Sequence, residues 1–200
     1  MPLARALDRL QCGVIVTPCS LQPTFVNRYA REVLERREAL ALSNGSLRTH
    51  AADDQRVLID LVTQAATCRL DRVMTIWVRS SDSARRVALH VVGVQEISAQ
   101  SQALLFICDP AYTVVVDQES LRALYGVTRS EAVFAKLLVG GKSVEEAADA
   151  LCVSIHTART HLKRILMKTD AGRQSELLRV LLMSSGLVRV DSGEPVEQSD

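Results

Sequence analysis

Hydrophobic spacing divides this 200-residue chain into a mixed first part and a helical second part. Residues 13–17 and 23–27 are short β-rich runs separated by turn residues, Pro18, Ser20 and Pro23. The spacing predicts a helix over 28–40, a break at Asn44-Gly45, and a second helix over 53–66 behind Asp53 and Asp54. Three longer strand-like runs follow, 73–79, 86–95 and 103–108, joined by short polar connectors at 80–84 and 98–101. A parallel crossover needs a dozen or more residues, so these strands are predicted to be antiparallel. From about Leu121 the pattern is helical throughout, with breaks at Gly140-Gly141 and Gly172. The expected fold class is an α+β N-terminal domain on an antiparallel sheet, followed by an all-α helix-turn-helix domain.

The helical part carries finer signals. Thr128-Arg129-Ser130-Glu131 has capping-box spacing. Its helix turns Ala132, Ala135 and Leu138 inward, with Phe134 and Leu137 beside them. In 144–151, Val144, Ala147, Ala148 and Leu151 form one apolar face at i, i+3, i+4 and i+7, while Glu145, Glu146 and Asp149 point away. Cys152-Val153-Ser154 leaves room only for a tight turn, and Ser154 supplies an N-cap for the next helix.

That next helix, 155–169, sorts into faces at about 100° per residue. Ile155, Ala158, Leu162, Ile165 and Leu166 share one arc, and His156, Arg159, Thr160, Lys163 and Met167 lie opposite. Thr157, His161, Arg164 and Lys168 fill a flank. A helix set in the major groove needs a packing face, a face toward base edges and a basic flank toward phosphate. The segment carries Arg159, Lys163, Arg164 and Lys168 with no acid, whereas a solvated helix face usually mixes signs. His161 is equally well placed to pack against a neighbouring helix.

Charge sharpens this picture. The net charge is +1, but residues 121–186 hold ten basic residues against six acids, and all four lysines lie between 136 and 168. Residues 1–120 balance 13 arginines against 13 acids, and the tail from Leu187 is acidic. A basic field confined to one domain points to a polyanion partner for that domain.

The set Val127-Thr128-Arg129-Ser130-Glu131, Leu137-Leu138-Val139-Gly140-Gly141-Lys142-Ser143, Glu146-Ala147-Ala148, Leu151-Cys152-Val153-Ser154, Thr157-Ala158-Arg159-Thr160-His161 and Lys168 resembles the LuxR/GerE-type DNA-binding domain. Arg173 followed by Glu176-Leu177 extends the likeness, which spans about 121–183. The resemblance implies a four-helix domain with 155–169 as its recognition helix. It implies that Arg159, Thr160 and Lys163 read bases, and that Ser154, Thr157, His161, Arg164 and Lys168 contact or flank the DNA backbone. It also implies that the last helix, about 174–184, dimerises the domain. Two positions depart from the pattern: Cys152 stands where glycine is usual, and Thr169-Asp170 replaces a frequent Leu-Gly.

For the first half, Gly13-Val14-Ile15-Val16 with Phe25-Val26-Asn27-Arg28 and Ala30 resembles the opening of PAS-type sensor domains. A phosphoacceptor receiver is excluded, because Thr17-Pro18-Cys19 follows the first strand and no lysine precedes Lys136. No phosphate-binding glycine loop is present and no cofactor is readable. His50 and His90 read as ordinary loop or sheet residues, and Trp77 is expected in the core. The five cysteines, Cys12, Cys19, Cys68, Cys108 and Cys152, form no C-x-x-C and read as reduced thiols with no metal site. No nucleophile elbow or catalytic spacing indicates an enzyme.

The expected organisation is therefore a PAS-like sensor and dimerisation domain at 1–110 and a linker at 111–120. A helix-turn-helix domain at 121–186 and an acidic disordered tail at 187–200 complete it. Residues 1–10 read as a short amphipathic helix and not a signal peptide, so the expected location is cytoplasmic with no membrane association. The expected function is a homodimeric transcriptional regulator of double-stranded DNA, with a small-molecule ligand for the N-terminal domain. One alternative is a sigma-like subunit acting with RNA polymerase, which would need a second helical region that the β-rich half does not supply. The other is a sensor whose helical domain binds protein.

Overall fold

The computed structural model describes residues 2–67, 73–82, 85–94, 102–110 and 116–185, with the side chains of 2, 3 and 185 left aside. The expected acidic tail, Cys68, and the connectors at 98–101 and 111–115 lie outside the described residues. Chain contacts divide the protein into two compact units, Met1–Tyr112 and Thr113–Asp200.

The first unit is α+β. Its elements are α1 (Pro2–Asp8), β1 (Gly13–Thr17), β2 (Phe25–Val26), α2 (Arg28–Arg36), β3 (Leu40–Ser43), β4 (Ser46–Thr49), α3 (Ala52–Thr67), β5 (Met74–Arg79), β6 (Arg86–Val94) and β7 (Gln102–Cys108). Five strands form one antiparallel sheet in the order β2-β1-β7-β6-β5. This is the expected α+β arrangement on an antiparallel sheet. Strand alternation sends Ile15, Ile76, Val78, Leu89, Val91, Leu105 and Ile107 to one face. There they pack with Tyr29, Val33 and Leu34 of α2 and Leu58, Val62 and Ala65 of α3. Each such side chain, fully buried, is worth about 1.5–3 kcal/mol. The helix α3 crosses the sheet so closely that a Cβ on Gly93 would fall 2.2 Å from the Ala65 carbonyl oxygen.

Asn27 fixes the entry to this unit. It is fully buried, and its amide makes four hydrogen bonds: Oδ1 accepts from Val14 N (2.9 Å) and Ala30 N (3.0 Å), and Nδ2 donates to Leu7 O and Cys12 O (both 2.9 Å). One side chain thus caps α2 and ties α1 to β1. On α3, Asp54 accepts from the Arg79 backbone N–H at 2.8 Å and pairs with its guanidinium at 2.9 Å. Burial alone would raise this carboxyl, but the Arg79 bonds outweigh it and hold it below its ordinary range.

Two expectations are corrected here. The helix over 28–40 stops at Arg36, where Arg37 takes a left-handed conformation (φ 55°) as its C-cap. The remaining residues open a hairpin, β3–β4, across Asn44 (φ 51°) and Gly45 (φ 74°). Two successive positive φ values are what a type I′ hairpin turn requires, and Asn-Gly is its preferred pair. Trp77 is not in the core. It is 53% exposed, because Ile76 and Val78 take the inner face and alternation turns Trp77 outward.

The second unit is helical: α4 (Gln118–Tyr125), α5 (Arg129–Val139), α6 (Val144–Ala150), α7 (Ile155–Lys168) and α8 (Gln174–Ser185). The helix α4 begins inside the stretch expected to be a linker. Asp117 caps it by accepting from Ser120 N at 2.7 Å, and Val116 is 1% exposed in the second core. The described residues of this unit therefore hold five helices, not the four that the resemblance implies. Their shared core is centred on Leu121, Phe134, Leu138, Ala147, Ile165 and Leu177. Among the described residues no helix is long and apolar enough to cross a membrane.

Candidate nucleic-acid interface

Local chemistry sets the geometry of α6 and α7. Ser143 and Glu146 form a capping box at the start of α6: Ser143 N donates to the Glu146 carboxylate at 2.7 Å, and Glu146 N to Ser143 Oγ at 3.1 Å. The helix ends in a Schellman motif, with Val153 N donating to Ala148 O and Cys152 N to Asp149 O. This places Cys152 in the left-handed region at φ 54°. Ser154 then caps α7, its hydroxyl accepting from Thr157 N at 3.1 Å and lying 2.9 Å from Thr157 Oγ1. The same device closes α7: Ala171 N donates to Leu166 O, and Asp170 sits at φ 53°. Both departures from the glycine pattern thus occupy left-handed positions.

Ala158 and Ile165 of α7 are fully buried, and Leu162 and Leu166 are half-buried against the second core. Ile155, placed on the same arc by periodicity, is 39% exposed. It occupies the first turn, whose neighbour is the α6–α7 turn.

On the other side Arg159, Lys163, Arg164, His156 and Met167 are exposed. Lys163 and Arg164 make no ion pair or hydrogen bond among the described residues, so both charges face solvent. Arg159 lies 3.9 Å from the Glu145 carboxylate with both side chains well exposed, a contact worth little in water. Thr160 is half-buried, and its hydroxyl donates to His156 O at 2.9 Å, leaving only its lone pairs for another partner. Ser154 and Thr157 stand exposed at the helix N-terminus.

Two predicted flank residues turn inward instead. The His161 ring lies 5.9 Å from the buried Phe134 ring at a 39° tilt, and its Nδ1 is buried with no hydrogen-bond partner. Lys168 is committed within the domain. Its ammonium donates to Gly126 O at 2.9 Å and pairs with Glu131 at 2.7 Å. The same Glu131 carboxylate accepts from Thr128 N at 2.7 Å, completing the box that opens α5. Burial pushes the Glu131 carboxyl up, but the Lys168 and Thr128 bonds prevail and hold it below its usual value. Nothing in the sequence pairs residues 131 and 168. Their meeting depends on α5 packing against α7.

No protein-family model matches the chain, and no curated protein matches it. Among solved structures it is similar to a phage VqmA–DPO complex at 18% identity, covering 92% of this chain and 88% of that one, with a TM-score of 0.42. It is similar to a Vibrio cholerae VqmA dimer, described among LuxR-type receptors, at 13% identity, 92% and 87% coverage, and a TM-score of 0.40. It is also similar to the PAS domain of an HTR-like protein from Haloarcula marismortui at 12% identity, 54% and 88% coverage, and a TM-score of 0.37. Likenesses this distant establish no shared activity, and the fold class rests on the sheet register and helix packing themselves.

Proposed function

We propose that this chain is a LuxR-type transcriptional regulator that binds double-stranded DNA with α7 in the major groove. The observation that carries the reading is the division of α7. Ala158 and Ile165 are buried, while Arg159, Lys163 and Arg164 stand exposed and no acid lies anywhere on the helix. In this reading Arg159 and Lys163 reach base edges, with Thr160 offering its acceptor lone pairs at the same face. Ser154, Thr157 and Arg164 meet phosphate, the first two at a helix N-terminus, where anions are favoured. His161 and Lys168 hold the helix in place and do not touch DNA.

A helix-turn-helix regulator of this kind binds as a homodimer on half-sites about one turn apart. The α+β unit is the sensor in this reading, and a small molecule its input. The test is selection of bound fragments from a random duplex library by the full chain, followed by sequencing. Enrichment of an inverted repeat is the expected result. Retention of no sequence over the starting pool, with or without RNA polymerase, would overturn the reading.

A further inference from the structure

Two cysteines lie at neighbouring ends of β1 and β7, where the chain enters and leaves the central sheet. Register pairs Gly13 with Ile107, Val14 with Phe106 and Ile15 with Leu105, and Cys12, just before β1, and Cys108, the last residue of β7, each lie one residue beyond the final pair of this ladder. The type of pair follows from the hydrogen bonds. Val14 N and Val14 O are taken by Asn27, on the β2 side, and Asn27 also holds Cys12 O. Residues 12 and 14 thus turn their peptide groups away from β7, so extending the ladder by one residue sets Cys12 against Cys108 as a pair of the non-hydrogen-bonded kind. Such pairs bring Cα atoms to about 4.5 Å and side chains closer than the alternating kind. That lies within the span of about 4.4–6.8 Å that a disulfide bridges.

The strands are pinched at this point, since a Cβ on Gly13 would fall 2.7 Å from Ile107 Cβ. Both thiols are free, Cys108 exposed and Cys12 half-buried. Burial raises both thiols above the ordinary value, and a negative charge on Cys108 raises Cys12 further.

We infer that Cys12 and Cys108 are an oxidisable pair that closes to a cross-strand disulfide in the presence of a peroxide. The exposed Cys108 sulfur attacks one peroxide oxygen and breaks the O–O bond. It leaves as a sulfenic acid, while the displaced hydroxide takes up the thiol proton as water. The Cys12 sulfur then attacks Cys108 Sγ and breaks the S–OH bond, and this hydroxide takes the Cys12 proton as a second water. Two thiols are oxidised and one peroxide is reduced. The bond fastens the α1–β1 junction, already held by Asn27, to the last strand of the sheet.

The test treats the full chain with hydrogen peroxide, blocks residual thiols by alkylation, and maps peptides by mass spectrometry without reductant. The expected result is a Cys12–Cys108 linked peptide as the main product, reversed by dithiothreitol and unaffected by Cys19→Ser or Cys152→Ser. In Cys12→Ser, Cys108 should stop at a sulfenic acid that dimedone traps. Cross-links only to Cys19, Cys68 or Cys152, or Cys108 over-oxidised while Cys12 stays alkylatable, would overturn the inference.

Discussion

The Lys168 ammonium lies 2.7 Å from the Glu131 carboxylate, joining the end of α7 to the start of α5 across 37 residues of chain. Glu131 is 1% exposed and caps α5 through Thr128, so one carboxylate fixes both the α5 terminus and the far end of the proposed recognition helix. Lys168→Met removes the only cation on that carboxylate among the described residues. It is expected to cost about 1.5–3 kcal/mol in denaturant unfolding, the range for a hydrogen bond to a charged group. The Lys168→Met/Glu131→Gln double variant should lose less than the sum of the two single changes. Strict additivity would remove the coupling from the account.

Acid should act through the same carboxylate. Glu131 and Asp54 are both held below their ordinary values of 4.5 and 3.8. A depressed carboxyl contributes stability that is fully present above its unfolded value and lost as pH falls through its folded one. Thermal stability should therefore fall as pH drops below about 4.5, and the fall should be shallower in Glu131→Gln. Equal acid slopes in the two proteins would contradict the assignment.

Cys152 and Asp170 occupy left-handed C′ positions at φ 54° and 53°. An L-residue there costs about 1–2 kcal/mol, offset in part by the 0.5–1 kcal/mol of chain entropy that glycine loses on folding. Cys152→Gly should raise unfolding stability by about 0.5–1 kcal/mol, and Asp170→Gly by less, because Asp tolerates this region. A lowered melting temperature in Cys152→Gly would show that the thiol makes a contact the turn needs.

In the first unit, Gly93→Ala would press a methyl group onto the Ala65 carbonyl at 2.2 Å, and the obstacle is backbone. Overpacking of this kind costs about 1–3 kcal/mol. The loss should appear in the unfolding of the α+β unit, and an unchanged denaturation midpoint would mean that α3 shifts freely over the sheet.

The sequence carried unequal information about these features. The α7 faces and the Thr128–Glu131 box were legible because both are local, set by i+3 and i+4 spacing and by a hydroxyl three residues from a carboxylate. The β3–β4 hairpin was also written locally, in Asn44-Gly45, but Leu40 and Leu42 extend the helical spacing of α2 and mask the strand. Trp77 shows the same conflict. Its hydrophobicity suggests burial, while its parity against Ile76 and Val78 turns it outward, and parity prevails. The inward turn of Lys168 was not legible, since it depends on α5 lying beside α7, whereas for His161 the spacing left a flank role and packing on a neighbouring helix equally open, and the structure shows the packing. The early start of α4, set by Asp117 and the buried Val116, stands on one cap and one apolar residue.

Arg164 has no partner among the described residues and is assigned to phosphate. Arg164→Ala is expected to weaken binding by a similar factor on every duplex and to reduce the salt slope by about one. A loss confined to the selected sequence would make it a base reader.

The central claim is that the exposed face of α7 reads DNA sequence, and Lys163→Ala tests it most directly. Affinity is measured by salt titration for the selected inverted repeat and for a scrambled duplex of equal composition. The expected result is a loss of about 1–3 kcal/mol on the selected site, which is roughly 5- to 150-fold, with a much smaller change on the scrambled one. Equal losses on both duplexes, or wild-type affinities that do not distinguish them at any salt, would contradict it.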